Sequence, residues 1–492
     1  MNLASLRVTA ALPEIFIALA ACAILLLGVT GKPGKPNHRA ALACPLAIAA
    51  LLVTALLAGL NFPAGGGAVA AFNNLFIGDA LAGLLKISMC LLCAAAFLYG
   101  RRYNRDRGLL TCEYYVLGLF SVAGMMVVAS ASHLLTLYLG LELMSLCLYA
   151  MVACHRDSRL ASEAAMKYFV LGALASSILL YGMSLLYGLT GSLELPVIRA
   201  ALFAEAADPD DAALALAVVF VVVALAFKLG AVPFHMWVPD VYHGAPTSTT
   251  AFLSAAPKVA AFAIVLRLLA GGLGDLAGIW QSMLVILAVL SVAAGNIIAI
   301  AQHNLKRMLA YSAVSHMGFF LFGIAAGSAQ GYSASLFYVL VYAVMSLGAF
   351  GAVLCLARGD AECDRLDDLQ GLSRRSPRTA FLILILMQSM AGIPPTAGFF
   401  AKLSVIQALV GAGLVWVAVV AVLLAVVGAF YYLRIIKLMY FDDPADASPA
   451  TPPAGDPPAH LLLAFNALII IAILPWIGAL ISLCNAVIAG AV

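Results

Sequence analysis

The sequence predicts an all-α polytopic membrane protein with about 14 transmembrane helices. Its mean hydropathy is +1.07, 64% of its 492 residues are hydrophobic and only 10% are charged. In a soluble domain, about a quarter of the residues are charged. The apolar segments last about 20 residues, as a bilayer-spanning helix requires, whereas barrel strands alternate over only about 10 residues. These observations exclude a soluble enzyme and a β-barrel.

Apolar segments separated by short polar loops can be placed along the whole chain. The predicted spans, in chain order, are 13–29, 40–60, 76–98, 114–129, 134–153, 162–189, 212–237, 251–269, 280–300, 308–325, 334–357, 380–410, 414–433 and 461–487. The first lacks a strongly basic leader and a small-residue cleavage site, so we expect it to be retained as a helix. The ten cysteines are scattered singly without metal-cluster spacing, which predicts apolar core residues.

Basic residues mark alternate loops, and this pattern predicts the orientation. The odd-numbered loops contain 18 of the 26 Lys and Arg residues, namely Lys32, Lys35, Arg39, Arg101, Arg102, Arg105, Arg107, Arg156, Arg159, Lys306, Arg307, Arg358, Arg365, Arg374, Arg375, Arg378, Arg434 and Lys437. Loops rich in Lys and Arg face the cytoplasm. Both termini are therefore expected on the opposite side of the membrane.

Three lysines lie deep inside apolar spans: Lys228, Lys258 and Lys402. A lysine at the centre of a bilayer helix costs roughly 2.5–3.5 kcal/mol, so it is expected to face a protein interior or a water-filled path. Loss of water lowers the proton affinity of a lysine, and a nearby carboxylate raises it again. Such a residue can load and release a proton near neutral pH, which favours a proton pathway over a structural ion pair.

Glu142, central in the fifth span, is the acidic partner candidate for these lysines. An unpaired carboxylate at this depth would be costly, and pairing with Lys228 or Lys167 would keep both groups charged. Lys167 lies near a span end, where snorkelling is the alternative to a functional role. His316 and His235 could extend a proton chain because imidazole titrates near neutral pH, although a buried histidine is often only a core residue.

Three other charged residues lie within or beside the spans. Asp79 and Lys86 are seven residues apart on one face of the third span, which places them two turns apart and too distant for a direct bond. Arg267 lies near the end of its span, and we expect it to snorkel. The sequence assigns no role to Asp79 or Lys86.

Two spans are interrupted by proline. In the seventh, Pro233 and Pro239 flank FHMWV, and in the twelfth Pro394 and Pro395 lie within GIPPTAG. Proline removes a backbone donor and frees a carbonyl one turn back, which hydrocarbon does not tolerate unless protein or water fills the gap. Spans seven and twelve run in opposite directions because they are five apart. Spans 4–8 and 9–13 are therefore predicted to form two inverted repeats, as in transporters. Lys228 lies just before the first break and Lys402 just after the second, so we expect these two lysines to be counterparts.

The predicted organisation has five parts. Residues 1–110 hold the first three helices, 111–270 the first repeat and 271–440 the second repeat. Residues 441–460 form an acidic, proline-rich cytoplasmic loop, and 461–492 hold the last helix. Nothing in the composition marks a second soluble domain.

Five strings of the sequence resemble the antiporter-like membrane subunits of respiratory complex I. They are GLELMSLCLYA, KYFVLGALASSILLYGMSLLYGLTGS, FKLGAVPFHMWVPDVYHGAPT, NLKRMLAYSAVSHMGF and AGIPPTAGFFAKL. The resemblance extends from about the second span to the thirteenth. The ELMSL form of the fifth span, and Lys402 where the M type would have a glutamate, are similar to the N type of bacterial NADH:quinone oxidoreductase.

The resemblance implies a role for each principal intramembrane charge. Glu142 and Lys228 would form the charge pair of a first half-channel. Lys258 would be the central relay, and Lys402 would end a second half-channel. No departure from the family pattern is present at these four positions.

The resemblance also implies a function, a location and partners. Lys167 and His316 match further polar positions of the family. The chain would be a proton-translocating, non-redox subunit of an enzyme of the bacterial inner membrane, with periplasmic termini. NADH, FMN, iron–sulfur clusters and quinone would lie on partner subunits, with M-type and small K-type subunits as neighbours and no nucleic acid. The chain has no dinucleotide glycine fingerprint.

The alternative is a subunit of a cation/proton antiporter that exchanges H⁺ for Na⁺, and the relay residues alone do not separate the two functions.

Overall fold

The computed structural model describes residues 7–29, 38–62, 67–204, 212–357, 362–443 and 456–491. Within these ranges the chain is almost entirely helical, with one small hairpin. The helices are α1 (Leu12–Val29), α2 (His38–Leu60), α3 (Ala80–Asp106), α4 (Cys112–Ala129), α5 (Leu134–Val152), α6 (Arg159–Thr190), α7 (Leu195–Ala204), α8 (Ala212–Leu229), α9 (Trp237–Gly244), α10 (Thr247–Val265), α11 (Ala277–Ile300), α12 (Leu305–Ala325), α13 (Ala329–Leu356), α14 (Leu372–Arg375), α15 (Pro377–Ala391), α16 (Ala397–Gly411), α17 (Val415–Tyr440), α18 (Pro457–Ala472) and α19 (Ile477–Ala489). The antiparallel strands are β1 (Val69–Ala71) and β2 (Phe76–Gly78).

The predicted all-α membrane fold is confirmed. Twelve helices within the described ranges are long and apolar enough to cross a membrane. A thirteenth is added if α18 and α19, which are bent by 48°, count as one span. The shorter apolar helices α15 and α16 occupy the place predicted for the twelfth span. The number fourteen stays a prediction.

Polar side chains begin many of these helices. A side-chain oxygen or nitrogen at the N-cap satisfies one of the backbone N–H groups that the first turn leaves free. The capping residues are Asp79 for α3, Thr111 for α4, His133 for α5, Ser158 for α6, Asn304 for α12 and Ser328 for α13. The polar loops therefore fix the ends of the apolar spans.

Helix α10 lies at the centre of the molecule. Every residue from Thr247 to Val265 is buried, and α10 packs against α3 on one side and α13 on another. By contrast, α6 exposes large apolar side chains such as Phe169, Leu174 and Leu180. Lys258 of α10 is therefore held in the protein interior.

The start of the third span differs from the prediction. Residues 76–78 form strand β2, and α3 begins only at Ala80 because Asp79 accepts a hydrogen bond from the backbone N–H of Ala82. The hairpin turn places Asn73 and Asn74 at φ values of 54° and 63°, a left-handed conformation that asparagine tolerates better than most residues. Helices α7 and α14 were also not predicted.

The last span begins earlier than the predicted residue 461. Helix α18 starts at Pro457, where proline fits the first turn because its missing N–H would have no partner there. The central part of the predicted loop 441–460, residues 444–455, lies outside the described residues.

Arg267 is buried, so the prediction that it snorkels is wrong. It lies in a π-helical turn, Leu266–Gly272, that continues α10. Its Nη1 and Nη2 atoms lie 2.7 and 2.8 Å from the two carboxylate oxygens of Asp79. Its Nη2 also donates to the Ala129 carbonyl at 3.0 Å. Because buried Asp79 binds the Arg267 guanidinium, the Arg267 side chain does not have to extend to water.

Lys86 is bound to α1 and not to Asp79. Its Nζ lies 2.6 Å from a carboxylate oxygen of Glu14 and 4.7 Å from the ring centroid of Phe76, within cation–π range. Both groups of the pair are buried. Asp79 and Lys86, which the sequence places on one face of the third span, therefore connect the start of this span to two different helices. Asp79 binds Arg267 in the turn that continues α10, and Lys86 binds Glu14 of α1.

A loop carboxylate, Glu362, joins the ends of three helices. It accepts hydrogen bonds from the Tyr103 hydroxyl of α3, from Thr247 Oγ1 of α10 at 3.1 Å and from Lys306 Nζ of α12 at 3.1 Å. Burial opposes ionisation of Glu362, but the Lys306 charge and the Tyr103 hydroxyl outweigh it and hold the pKa of Glu362 below its usual range. These bonds fix the loop ends of α3, α10 and α12 relative to one another.

Candidate functional site

The first predicted break is present and frees the carbonyl of Leu229. Helix α8 ends at Leu229, and Gly230 turns the chain with a φ of 77°. In an unbroken helix this carbonyl would accept from the residue four positions on, but that residue is Pro233, which has no N–H. Lys258 donates to the carbonyl instead, with an Nζ–O distance of 2.7 Å. The proline thus creates the acceptor that the buried lysine uses.

Two further groups surround Lys258. Its Nζ lies 5.6 Å from the ring centroid of Trp237, and the Trp237 indole N–H donates to the Phe227 carbonyl at 2.9 Å across the break. The cation also faces the C-terminal, partially negative end of α8. Lys258 is 3% exposed, so these contacts must offset much of the cost of burying its charge. Pro239 lies within the first turn of α9 and not in the break itself.

The second break repeats this arrangement with Lys402. The carbonyls of Met390 and Ala391 end α15, and the residues four positions on are Pro394 and Pro395, which again have no N–H. Lys402 Nζ donates to both carbonyls, at 3.1 and 2.9 Å. Each broken helix therefore ends on carbonyls that bind a lysine from later in the chain. The lysine is Lys258 of α10 at the first break and Lys402 of α16 at the second.

The matching lysine of the first break is Lys258 and not Lys228. The sequence suggested Lys228 as the counterpart of Lys402 because each lies beside a break. In the structure, however, the Lys228 side chain extends toward α5 and α6, whereas Lys258 reaches the released carbonyl. A lysine that lies next to a break in the sequence is therefore not always the one whose side chain binds the released carbonyl.

Lys228 and Glu142 are joined through a serine. Lys228 Nζ lies 3.0 Å from Ser145 Oγ of α5 and 3.5 Å from Ser176 Oγ of α6. The Ser176 hydroxyl donates to Glu142 Oε1. Within the described residues no direct ion pair joins the two charges, so the expected charge pair is present as a serine-bridged one.

His316 lies in a cluster of tyrosine hydroxyls. Its Nδ1 lies 2.7 Å from the Tyr338 hydroxyl and its Nε2 lies 3.1 Å from the Tyr432 hydroxyl. Tyr432 is also hydrogen-bonded to Ser312. His316 is 3% exposed. Both ring nitrogens have hydroxyl partners, which can exchange roles as donor and acceptor.

An aromatic ring separates this cluster from Lys402. Lys402 Nζ lies 5.3 Å from the ring centroid of Phe319, and the Phe319 ring stacks on Tyr338 with centroids 5.9 Å apart. Across the described part of the chain, no hydrogen bond links Lys402 to His316. Phe319 therefore marks a gap in the polar path.

Among the described residues, the secondary candidates Lys167 and His235 form no hydrogen bond with the three deep lysines. Lys167 pairs with Glu163 at 2.9 Å and with Asp240 at 2.8 Å, and its side chain is 44% exposed. Of the two lysines considered as partners of Glu142, Lys228 is therefore the one linked to it, through Ser176. His235 lies in the bend between α8 and α9, with its ring centroid 6.3 Å from that of Tyr311.

Asp240 also binds Arg307 of α12, with an Nη1–Oδ1 distance of 2.9 Å. One carboxylate on α9 joins Lys167 of α6 to the second half of the chain, next to the first break. This charged cluster is partly exposed at the helix ends.

The site residues that the sequence did not reveal are neutral hydroxyls: Ser145, Ser176, Tyr338 and Tyr432. A serine or tyrosine in an apolar span costs far less than a charge, so it does not stand out in a hydropathy pattern. Only their contacts with Lys228 and His316 identify them.

Taken together, these residues can hold and exchange protons inside the membrane. Lys258 and Lys402 are ammonium groups on released carbonyls, and Lys228 shares a hydroxyl with Glu142. No group of three or more His, Cys, Asp or Glu side chains that could hold a metal is present among the residues described.

Comparison with known proteins identifies the relatives of the chain. A family described as "NADH:quinone oxidoreductase/Mrp antiporter, TM" matches residues 131–428. The chain is 55% identical over 475 residues to NADH-quinone oxidoreductase subunit N of Thiobacillus denitrificans, covering 96% of both chains. It is 52% identical over 474 residues to the subunit N of Thioalkalivibrio sulfidiphilus, again covering 96% of both.

Solved structures agree on the fold. A chain of respiratory complex I from Thermus thermophilus with bound Aureothin is 30% identical, with a TM-score of 0.78 that covers 96% of this chain and 99% of that one. A chain of the Mrp complex from Dietzia sp. DQ12-45-1b gives a TM-score of 0.83 at 24% identity, covering 98% of this chain and 97% of that one. The second likeness concerns the fold alone.

Proposed function

Because this chain belongs to the NADH:quinone oxidoreductase/Mrp antiporter family of membrane subunits, we propose that it translocates protons as a membrane-arm subunit of a bacterial respiratory complex I. The subunit N relatives match over nearly their whole length. The chain would then contribute to a proton-translocating NADH:quinone oxidoreductase without carrying out redox chemistry itself. NADH, FMN, iron–sulfur clusters and quinone would be bound by partner subunits.

The observation that carries this proposal is the use of freed carbonyls by two lysines within the membrane spans, of which Lys258 is buried and Lys402 partly buried. Lys258 binds the carbonyl that Pro233 frees, and Lys402 binds those that Pro394 and Pro395 free. A scaffold subunit needs neither the broken helices nor the buried cations, both of which are costly in a membrane. Broken helices whose ends face an ion are typical of transport sites.

The pathway would use the four principal residues in two half-channels. Lys228 would exchange a proton with Glu142 in the first, Lys258 would relay it between the halves, and Lys402 would release it in the second. Electron transfer to quinone in the partner subunits would shift charges along the membrane arm. The distance from Lys228 to its acidic partner, and hence its proton affinity, would change with each cycle.

Lys167, His235 and His316 would have secondary roles. Lys167 and Asp240 lie in the partly exposed charged cluster, where they would supply protons to the first break. His316 and its tyrosines would extend the path beside the second. His235 would contribute at the bend between α8 and α9.

The wider arrangement also belongs to this proposal. Residues 111–270 and 271–440 would form the two inverted repeats, each with one broken helix. Odd-numbered loops would face the cytoplasm and both termini the periplasm. Neighbours in the inner membrane would be an M-type antiporter-like subunit and a small K-type subunit.

The alternative is a cation/proton antiporter subunit. The likeness to the Mrp chain is at 24% identity, which supports the shared fold only. To separate the two functions, the tagged chain is purified from membranes, and NADH-driven proton uptake is measured with and without Na⁺. We expect the chain to co-purify with NADH dehydrogenase activity and pumping to be independent of Na⁺. Na⁺-dependent proton flux without any need for NADH would establish the antiporter instead.

Replacing Lys402 tests whether the second break needs a titratable group. Lys402→Ala is expected to lower NADH-driven pumping at least about 10-fold, because Met390 and Ala391 lose their donor and the proton acceptor is removed. Lys402→Glu keeps an ionisable group and is expected to retain partial pumping. Pumping is measured in inverted vesicles with equal amounts of assembled complex. If the two variants lose pumping equally, the positive charge itself and not titration is required.

A further inference from the structure

We propose that the Ser176 hydroxyl carries the proton between Lys228 and Glu142. The inference rests on the proposed function, because it assigns an internal step of the same relay. In the charge-pair picture, the two side chains would touch, and a proton would pass directly. The structure instead places a third residue, on a third helix, between them.

The geometry gives Ser176 one bond in each direction. Its Oγ lies 3.5 Å from Lys228 Nζ, which can only donate, and its hydroxyl donates to Glu142 Oε1. These two contacts place the Ser176 hydroxyl between the Lys228 and Glu142 side chains. Ser176 is also buried, with 4% of its surface exposed. The helices α5, α6 and α8 each contribute one member of this chain.

Ser145 explains where the ammonium group rests. Lys228 Nζ lies 3.0 Å from Ser145 Oγ, closer than to Ser176 Oγ at 3.5 Å. A distance of 3.5 Å is long for a strong hydrogen bond, so Lys228 must move toward Ser176 before transfer. Ser145 therefore holds the lysine, and Ser176 receives from it.

The transfer step is a concerted exchange of two protons. One N–H bond of the Lys228 ammonium breaks as an O–H bond forms at Ser176 Oγ. The original Ser176 O–H bond breaks at the same time, and its proton forms an O–H bond on Glu142. Lys228 becomes a neutral amine, Glu142 a neutral acid, and Ser176 is left as a hydroxyl. The reverse exchange restores both charges, and no other reactant is needed.

The test uses assembled complex in inverted membrane vesicles and four single substitutions. Ser176→Ala removes the hydroxyl, and Ser176→Thr keeps it. Ser177→Ala is the matched control, because Ser177 is the next residue of α6 but its hydroxyl donates to the Ala173 carbonyl of its own helix at 3.0 Å. Glu142→Gln tests the relay itself. NADH-driven proton uptake is compared at equal complex content.

We expect Ser176→Ala to lower pumping at least about 10-fold, and Ser176→Thr to stay within about threefold of wild type. Ser177→Ala should match wild type. Wild-type pumping in Ser176→Ala, with pumping lost in Glu142→Gln, would overturn the serine step and leave the proposed function standing. Equal losses in Ser176→Ala and Ser176→Thr would also overturn it, since the hydroxyl would then be irrelevant. Normal pumping in Glu142→Gln would overturn the proposed function as well.

Discussion

Replacing Lys228 with alanine is expected to lower NADH-driven proton pumping at least about 10-fold while leaving the complex assembled. A positioned proton-transfer group typically contributes 10²–10⁴-fold to the rate, and alanine can neither accept nor release a proton. Assembly should survive because Lys228 is held by the hydroxyls of Ser145 and Ser176, and its loss leaves no buried charge beside it without a hydrogen-bond partner. Pumping is measured by fluorescence quenching in inverted vesicles.

The control for this substitution is Lys437→Ala. Lys437 is also a lysine, but its side chain is 67% exposed at the end of α17, where it pairs with Asp442. Assembly of both variants is followed by NADH dehydrogenase staining of native gels. Pumping at the wild-type rate by fully assembled Lys228→Ala complex would show that Lys228 is not part of the path.

Removing one member of the buried Asp79–Arg267 pair is expected to have the largest effect on stability. Arg267→Met leaves Asp79, which is 3% exposed, as a buried carboxylate without its cation, and it removes a donor from the Ala129 carbonyl. Breaking a buried pair in this way costs about 3–5 kcal/mol. The purified complex should therefore lose activity at a clearly lower temperature than wild type.

A second arginine of the chain provides the matched control. Arg199 pairs with Asp275 at 3.2 Å, but the two side chains are 40% and 35% exposed, and such pairs contribute about 0–1 kcal/mol. Arg199→Met should change the inactivation temperature little. Combining Arg267→Met with Asp79→Asn should recover part of the loss, since no buried charge is left unpaired. Equal stability of Arg267→Met and wild type would contradict a structural role for the pair.

The features predicted from the sequence are those that carry a large energetic cost. Lysines such as Lys258 and prolines such as Pro233 stand out in an apolar span because a membrane tolerates neither without compensation. The positions of these lysines and prolines in the chain therefore sufficed to predict the broken helices and the lysines beside them. The structure adds the link between the two, since the proline frees the carbonyl that the lysine binds.

The contacts themselves could not be predicted, because they depend on how helices pack. Asp79 and Arg267 are 188 residues apart in the sequence, and nothing in one sequence shows that they meet. Arg267 was expected to reach water because its span ends nearby. Ser176 was missed for a different reason, since a neutral hydroxyl in an apolar span is ordinary until its neighbours are known.

In the proposed function, protons cross the membrane through this chain when NADH is oxidised. The most direct measurement counts the protons moved per NADH oxidised by purified complex in liposomes, for wild type and for Lys228→Ala. The relay predicts that the variant moves far fewer protons per NADH. It also allows the variant to stop oxidising NADH, because electron transfer and proton pumping are coupled. An unchanged number of protons per NADH at an unchanged rate of oxidation would contradict it.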